Sequence, residues 1–241
     1  MTLWYEGPMA AFHTGTTGID VEEDRIVAAS VVVQDSAGGH PRVTRWLVSP
    51  GVPVPPGATG THGPTEERLR LHGRWPAPVM EEIGRSLAEQ CAAARPLVVM
   101  NAPFDLTVLD RELRRHRAAS LARYLENVSL CVVDPWVLDR HLDRYRKCGR
   151  TLADLCEQYG VPLGERRDTT SDALASLEVA RAVGRRFAAR MERLSAAELH
   201  TLQAVWHAAQ ARGLQTWFAR GGTPEPVHPA WPLRPELRTA A

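Results

Sequence analysis

The chain has 241 residues, 44% hydrophobic and 24% charged, enough to bury one sizeable core as a single α/β domain with peripheral additions. Its 29 Lys and Arg stand against 28 Asp and Glu, and a formal charge of +1 excludes a global drive toward nucleic acid or an anionic membrane. Any polyanion contact has to be a local patch. The four cysteines (Cys91, Cys131, Cys148, Cys156) form no Cys-x-x-Cys pair and have no His at zinc-finger spacing, so reduced thiols are expected. Residues 1–8 lack the progression of a signal peptide, and no apolar run approaches about 18 residues, so a cytoplasmic protein with no membrane partner is expected.

In chain order, residues 9–12 are a short apolar run that ends in the Thr/Gly turn of FHTGTTGID. Residues 25–34 (RIVAASVVVQ) are rich in β-branched side chains, residues 35–39 form a turn, and residues 42–48 alternate again. Together they predict an antiparallel meander of three strands. The Pro- and Gly-rich residues 50–63 break regular structure. Residues 79–94 have helical spacing with Met80, Ile83, Leu87 and Cys91 on one side. Residues 97–100 predict a buried strand that delivers Asn101 and Asp105 to its end. Residues 104–116 follow as a helix with Leu106, Leu109 and Leu113 as its stripe, and residues 130–133 as another strand ending at Asp134-Pro135.

Residues 151–159 and 170–194 read as helices, the first capped by Thr151 and the second by Thr169, Thr170 or Ser171. Ser195 caps a last helix that runs to Arg212 or slightly beyond, with Glu198 completing a capping box. Residues 221–241 are Gly- and Pro-rich with a lone Trp231, and predict a tail that packs loosely or is partly disordered. There are no internal repeats. This order predicts an α/β fold, a mixed sheet of five or six strands flanked by helices, with an extra C-terminal helix and tail. Residues 1–195 form the main domain, and residues 196–241 pack on it or trail from it.

Three stretches carry the functional reading: FHTGTTGID, MNAPFDLTVLDREL at residues 100–113, and RRDTTSDALASLEVA at residues 166–180. In order, spacing and flanking sequence they resemble the DEDDh exonucleases, the family of the proofreading epsilon subunit of bacterial DNA polymerase III. The resemblance spans residues 9–190, and takes in Thr61-His62-Gly63 and YRKCGRTLADLC at residues 145–156. It implies an RNase H-like fold and 3′-5′ hydrolysis of nucleic-acid ends. In that family two divalent cations about 3.5–4 Å apart activate a water and stabilise the leaving oxygen. Hard cations prefer carboxylate oxygens, which is why the family uses Asp-x-Glu, a second-motif Asp and a third-motif His-x-x-x-x-Asp, the His acting as general base.

Carried over position by position, only Asp105 and Asp172 remain. His13 stands for the first Asp, Gly15 for the Glu and Arg167 for the general base, so three of five positions are replaced. Imidazole is a poor magnesium ligand, glycine offers none, and arginine has no acceptor with which to take a proton. The formal charge of the site falls from about −4 in the family to about −1. Phosphate then needs less metal to enter. Arg166 and Arg167 offer guanidinium forks for phosphate, Thr14, Thr16, Thr17 and Gly18 offer turn donors, and Asn101 and Phe104 flank the second motif.

The expected function is a catalytically impaired protein that binds a nucleic-acid 3′ end, single-stranded DNA or RNA, or a nucleotide, with at most one Mg2+ or Mn2+ at Asp105 and Asp172. Two alternatives stay open. One is a metal-dependent exonuclease using His13, Asp105 and Asp172, and the other is a protein-interaction platform that engages its partner through residues from 199 onward. Residues 111–117 (RELRRHR) and 140–150 (RHLDRYRKCGR), the second with Tyr145 interleaved, are basic enough to follow a phosphate backbone or to be solvated faces. Arg181, Arg185, Arg186 and Arg190 are expected to face solvent, and the seven scattered tryptophans to be mostly packing residues.

Overall fold

The computed structural model describes residues 3–55, 64–164, 168–222 and 227–236. Strands β1 (Met9–Thr16), β2 (Ile26–Gln34) and β3 (Arg42–Leu47) form the expected antiparallel meander, and β4 (Leu97–Val98) and β5 (Val132–Val133) extend it in parallel, giving the order β3-β2-β1-β4-β5. Alternation along β1 sorts its side chains between two cores. Ala10 and Phe12 pack with Met80, Ile83, Leu106 and Leu109, while Met9 and Ala11 pack with Leu155, Leu177 and Val183 on the other face. The sheet is therefore covered on both sides, and β2 is buried along its whole length. The chain has a mixed five-stranded sheet flanked by helices, as its sequence predicts.

One face is covered by α1 (Glu66–His72), α2 (Pro76–Ala92), α3 (Ala102–Arg117) and α4 (Leu121–Tyr124), and α5 (Pro135–Leu142) follows β5. The opposite core is built by α6 (Leu152–Tyr159), α7 (Thr169–Arg186) and the short α8 (Ala188–Met191), and α9 (Ala196–Arg220) closes the chain of helices. The helix expected over residues 170–194 is interrupted at Phe187, whose φ of −113° and ψ of 31° take it out of the helical region. Its cap lies one residue before the expected ones. The Asp168 carboxylate accepts the N–H groups of Thr170 and Ser171 while Ser171 accepts the Asp168 N–H. Helices α1, α4 and α5 are too short to carry a full periodic stripe, although Asp134-Pro135 is a legible start for α5: Asp134 accepts from Trp136 N and Pro occupies the first turn.

α9 does more than extend the chain. It seals the free edge of β5 with side chains: Gln203 donates to Val132 O at 2.9 Å and accepts from Asp134 N at 2.7 Å, and His200 Nδ1 accepts from Val132 N at 3.0 Å. Residues 227–236, where composition predicts loose packing, are docked. Trp231 is 8% exposed, its indole N–H donates to Asp134 Oδ2 at 3.2 Å, Arg234 N donates to Thr107 Oγ1, and Arg111 donates to Pro235 O. Arg181 is also corrected. It is completely buried, not solvent-facing, and donates to Tyr5 O, Gly7 O and Gln34 Oε1, which ties the N-terminal turn to α7. None of the four cysteines is in a disulfide, and among the described residues no helix is long and apolar enough to cross a membrane.

Candidate functional site

Three parallel strands end at one crevice. β1 brings His13 to it, β4 leads through Asn101 into the first turn of α3 with Asp105, and the first turn of α7 brings Asp172. Asn101 takes the left-handed φ of 56° that Asn tolerates, and its N–H and that of Ala102 both donate to the Asp134 carboxylate at 3.0 Å. This carboxylate fixes the start of α3, and with it the direction of Asp105. Burial pushes the Asp134 carboxyl up to about 6, against four N–H donors from Ala102, Asn101, Trp231 and Trp136 that pull it down. The side chain of Asn101 itself is exposed, and Phe104 packs against the core.

Asp105 and Asp172 are almost fully buried, and the imidazole of His13, about a quarter exposed, lies between them. Its Nδ1 is 3.4 Å from Asp105 Oδ1 and its Nε2 is 3.8 Å from Asp172 Oδ2. Thr14, on the opposite face of β1, gives both its N–H and its hydroxyl to Asp105 Oδ1. Behind His13, Ser30 shares hydroxyl hydrogen bonds with Thr169 and Thr170 at 2.7 and 2.9 Å, which seat the N-terminus of α7 on the sheet. Gly15 faces that helix. A Cβ built there would stand 3.4 Å from Thr169 Cγ2 and 3.7 Å from Ala28 Cβ, ordinary contact distances, so a Cβ fits where the sequence has none.

The turn donors are engaged within the protein. Thr16 Oγ1 donates to Gly18 O at 2.6 Å, Thr17 Oγ1 donates to Asp24 Oδ1 at 2.6 Å, and Thr17 N donates to Arg25 O. Gly18 is required by the Asp24 carboxylate, whose oxygen would lie 2.5 Å from any Cβ there. Arg166 and Arg167, and the Thr61-His62-Gly63 turn, lie outside the described residues. The structure thus brings together His13, Thr14, Gly15, Asp105 and Asp172, and adds Ser30, Thr169 and Asp134, which the sequence does not mark as belonging to the site. The Asp-Pro helix start was the available signal for Asp134; a lone serine in a strand gives none.

Two magnesium ions do not fit this donor set. Gly15 contributes no side-chain oxygen, the imidazole stands between the remaining carboxylates, and among the described residues no group of three or more His, Cys, Asp or Glu is arranged to hold a metal ion.

No protein-family model matches the chain. It is 37% identical over 103 residues to the DNA polymerase III subunit epsilon-like protein of Rhodobacter capsulatus, a stretch covering 42% of this chain and 14% of that protein. It superposes on a solved exonuclease I structure with a TM-score of 0.65 at 18% identity over 76% of this chain and 42% of that one. The fold is the RNase H-like fold of exonuclease I. The zinc-bound E. coli exonuclease I complex with single-stranded DNA gives the same TM-score, 0.65, at 17% identity over 87% of this chain and 45% of that one. The chain spans less than half the length of these solved relatives and about one seventh of the curated one.

Proposed function

We propose that this protein binds a nucleic-acid 3′ end, or a nucleotide, in the crevice of an exonuclease fold whose hydrolytic step is lost or strongly attenuated. The observation that carries the proposal is the His13 imidazole lying between Asp105 and Asp172, with glycine beside it at position 15. Two-metal hydrolysis depends on four acidic side chains acting as a unit, and removing one member of such a unit commonly costs orders of magnitude in rate. Binding depends on less. A crevice with about two fewer carboxylate charges repels a phosphate less, and Arg166 and Arg167 immediately precede in sequence the Asp168 that caps α7. The solved relative held with single-stranded DNA supports this ligand class. A cytoplasmic location, consistent with four cysteines outside any disulfide, is part of the same proposal.

The exposed Val205 and Trp217 on α9 are the surface on which a protein partner would be sought. Calorimetric titration of short single-stranded DNA and RNA, with free and with 3′-phosphorylated ends, and of nucleoside monophosphates tests the main proposal. Heat from free-ended strands that exceeds that from blocked ones supports it; no response to any of them overturns it.

A further inference from the structure

The two basic stretches of the sequence have different fates in the fold. In residues 111–117 the positive charge is neutralised internally: Arg111 is held by Glu22 and Asp110, Arg114 by Asp110 and Glu236, Arg115 by Glu112, and Arg117 by Glu81. In residues 140–150 neutralisation is incomplete. Arg146 and Arg150 converge on Asp139 Oδ2 at 2.8 and 2.7 Å, and the Tyr159 hydroxyl donates to its Oδ1 at 2.8 Å. Among the described residues neither Arg140 nor Arg144 pairs with a carboxylate.

Arg140 is half-buried with its guanidinium carbon 4.4 Å from the centroid of the Trp136 ring, and burial together with the charge of Arg150 pushes its pKa down. Next to it, His141 lies flat on Trp206 of α9, with ring centroids 3.9 Å apart and planes 8° from parallel. Burial, then the charges of Arg190 and Arg144, lower the His141 pKa, so its charged neighbours are both cations. A groove of about 510 Å3 separates α5 from α9, lined by Arg140, Arg144 and Arg150 on one side and by Trp206, Ala209 and Leu214 on the other. Tyr145 stands 82% exposed on the same segment with Arg144 over its ring at 5.0 Å.

Two arginines that form no salt bridge among the described residues, set beside flat rings, match a ligand that alternates phosphates with bases. Guanidinium forks take phosphate oxygens, aromatic faces take bases of any sequence, and cation–π contacts hold the arginines in place. A simple anion would leave the rings unused, and an apolar partner would leave the charges unmatched. We propose that the groove between α5 and α9 is a second binding site for single-stranded nucleic acid, taking internal phosphates on Arg140 and Arg144 and stacking bases on Tyr145 and on the His141–Trp206 pair. This site stands on its own geometry and does not require the crevice to hold a 3′ end.

A circular single-stranded oligonucleotide tests it, because a circle has no 3′ end to offer the crevice. Fluorescence anisotropy at low salt is expected to show binding by the intact chain, with log affinity falling against log salt at a slope of about −1.4 for two phosphates. Arg140→Gln with Arg144→Gln should weaken binding by about tenfold or more, whereas Arg85→Gln on α2, a surface arginine paired with Glu81, should leave it unchanged. Arg144→Gln alone, at an exposed position, should weaken it without altering the melting temperature. Three results overturn the proposal: no binding of the circle, equal affinity of the arginine variants, or competition by polyglutamate as effective, charge for charge, as by the oligonucleotide. Binding of linear strands but not circles would sink this second site and leave the crevice proposal intact.

Discussion

Thr14 gives both its backbone N–H and its hydroxyl to one oxygen of Asp105, at 2.7 and 2.8 Å. The carboxylate that the second motif brings to the crevice is thereby locked to the end of β1 in a site that is almost fully buried. Hydrogen bonds to a charged acceptor are worth about 1.5–3 kcal/mol each. Thr14→Val removes one of the two, and is expected to lower unfolding stability by about 1–2 kcal/mol in urea titrations. No change would show that Asp105 is held by other groups.

If the replaced residues are what stops hydrolysis, restoring them should restart it. Gly15 has room for a Cβ, so Gly15→Glu with His13→Asp and Arg167→His is expected to fold and to gain magnesium-dependent trimming of single strands by at least about a hundredfold. The gain is read as product per hour against the same variant with Asp105→Ala. A well-folded triple variant without activity would place the defect elsewhere in the fold.

Two tryptophans separate the docked tail from an exposed surface. Trp231 is 8% exposed and donates to Asp134, whereas Trp217 is 67% exposed. Trp231→Ala should cost about 3–5 kcal/mol of stability, and Trp217→Ala should stay within about 0.5 kcal/mol. Thermal or urea unfolding of the two variants checks the contrast.

Two carboxyl groups give opposite pH dependences. Asp134 moves from 3.8 to about 6 on folding, chiefly through burial, so the folded protein keeps a proton that the unfolded chain has released between those values. Its contribution is complete below about pH 4 and is lost as pH rises through about 6. Asp35, held by Arg42 and Arg95, is pulled down to about 2, so its contribution is present above about pH 4 and is lost as pH falls toward 2. The stability gap between the unmodified chain and Asp134→Asn should narrow from about pH 4.5 to about pH 7. A gap that stays constant or widens would contradict this assignment.

Much of the fold was legible because alternation and helical spacing both report burial. The meander follows from β-branched runs separated by turn residues, the stripe of α2 from helical spacing, and the capping box of α9 from Ser195 and Glu198. Arg181 was not legible: its guanidinium is buried because three acceptors, two of them backbone carbonyls of the N-terminal turn, converge on it, and such long-range pairing leaves no local pattern. Trp231 was missed for the same reason. In the site, Asp105, Asp172, His13 and Gly15 were legible from motif position, and the structure places all four at one crevice. The internal engagement of the Thr16 and Thr17 hydroxyls could not be read from composition, since a Thr/Gly turn looks the same whether its donors face a ligand or its own backbone.

The most direct test of the central claim combines binding and cleavage in one sample. A 5′-labelled single strand is incubated with the protein and magnesium, then with manganese and zinc, and followed by anisotropy and on a denaturing gel. The crevice geometry predicts a bound strand that stays full length in magnesium. A ladder of strands shortened from the 3′ end, abolished by Asp105→Ala, would contradict it.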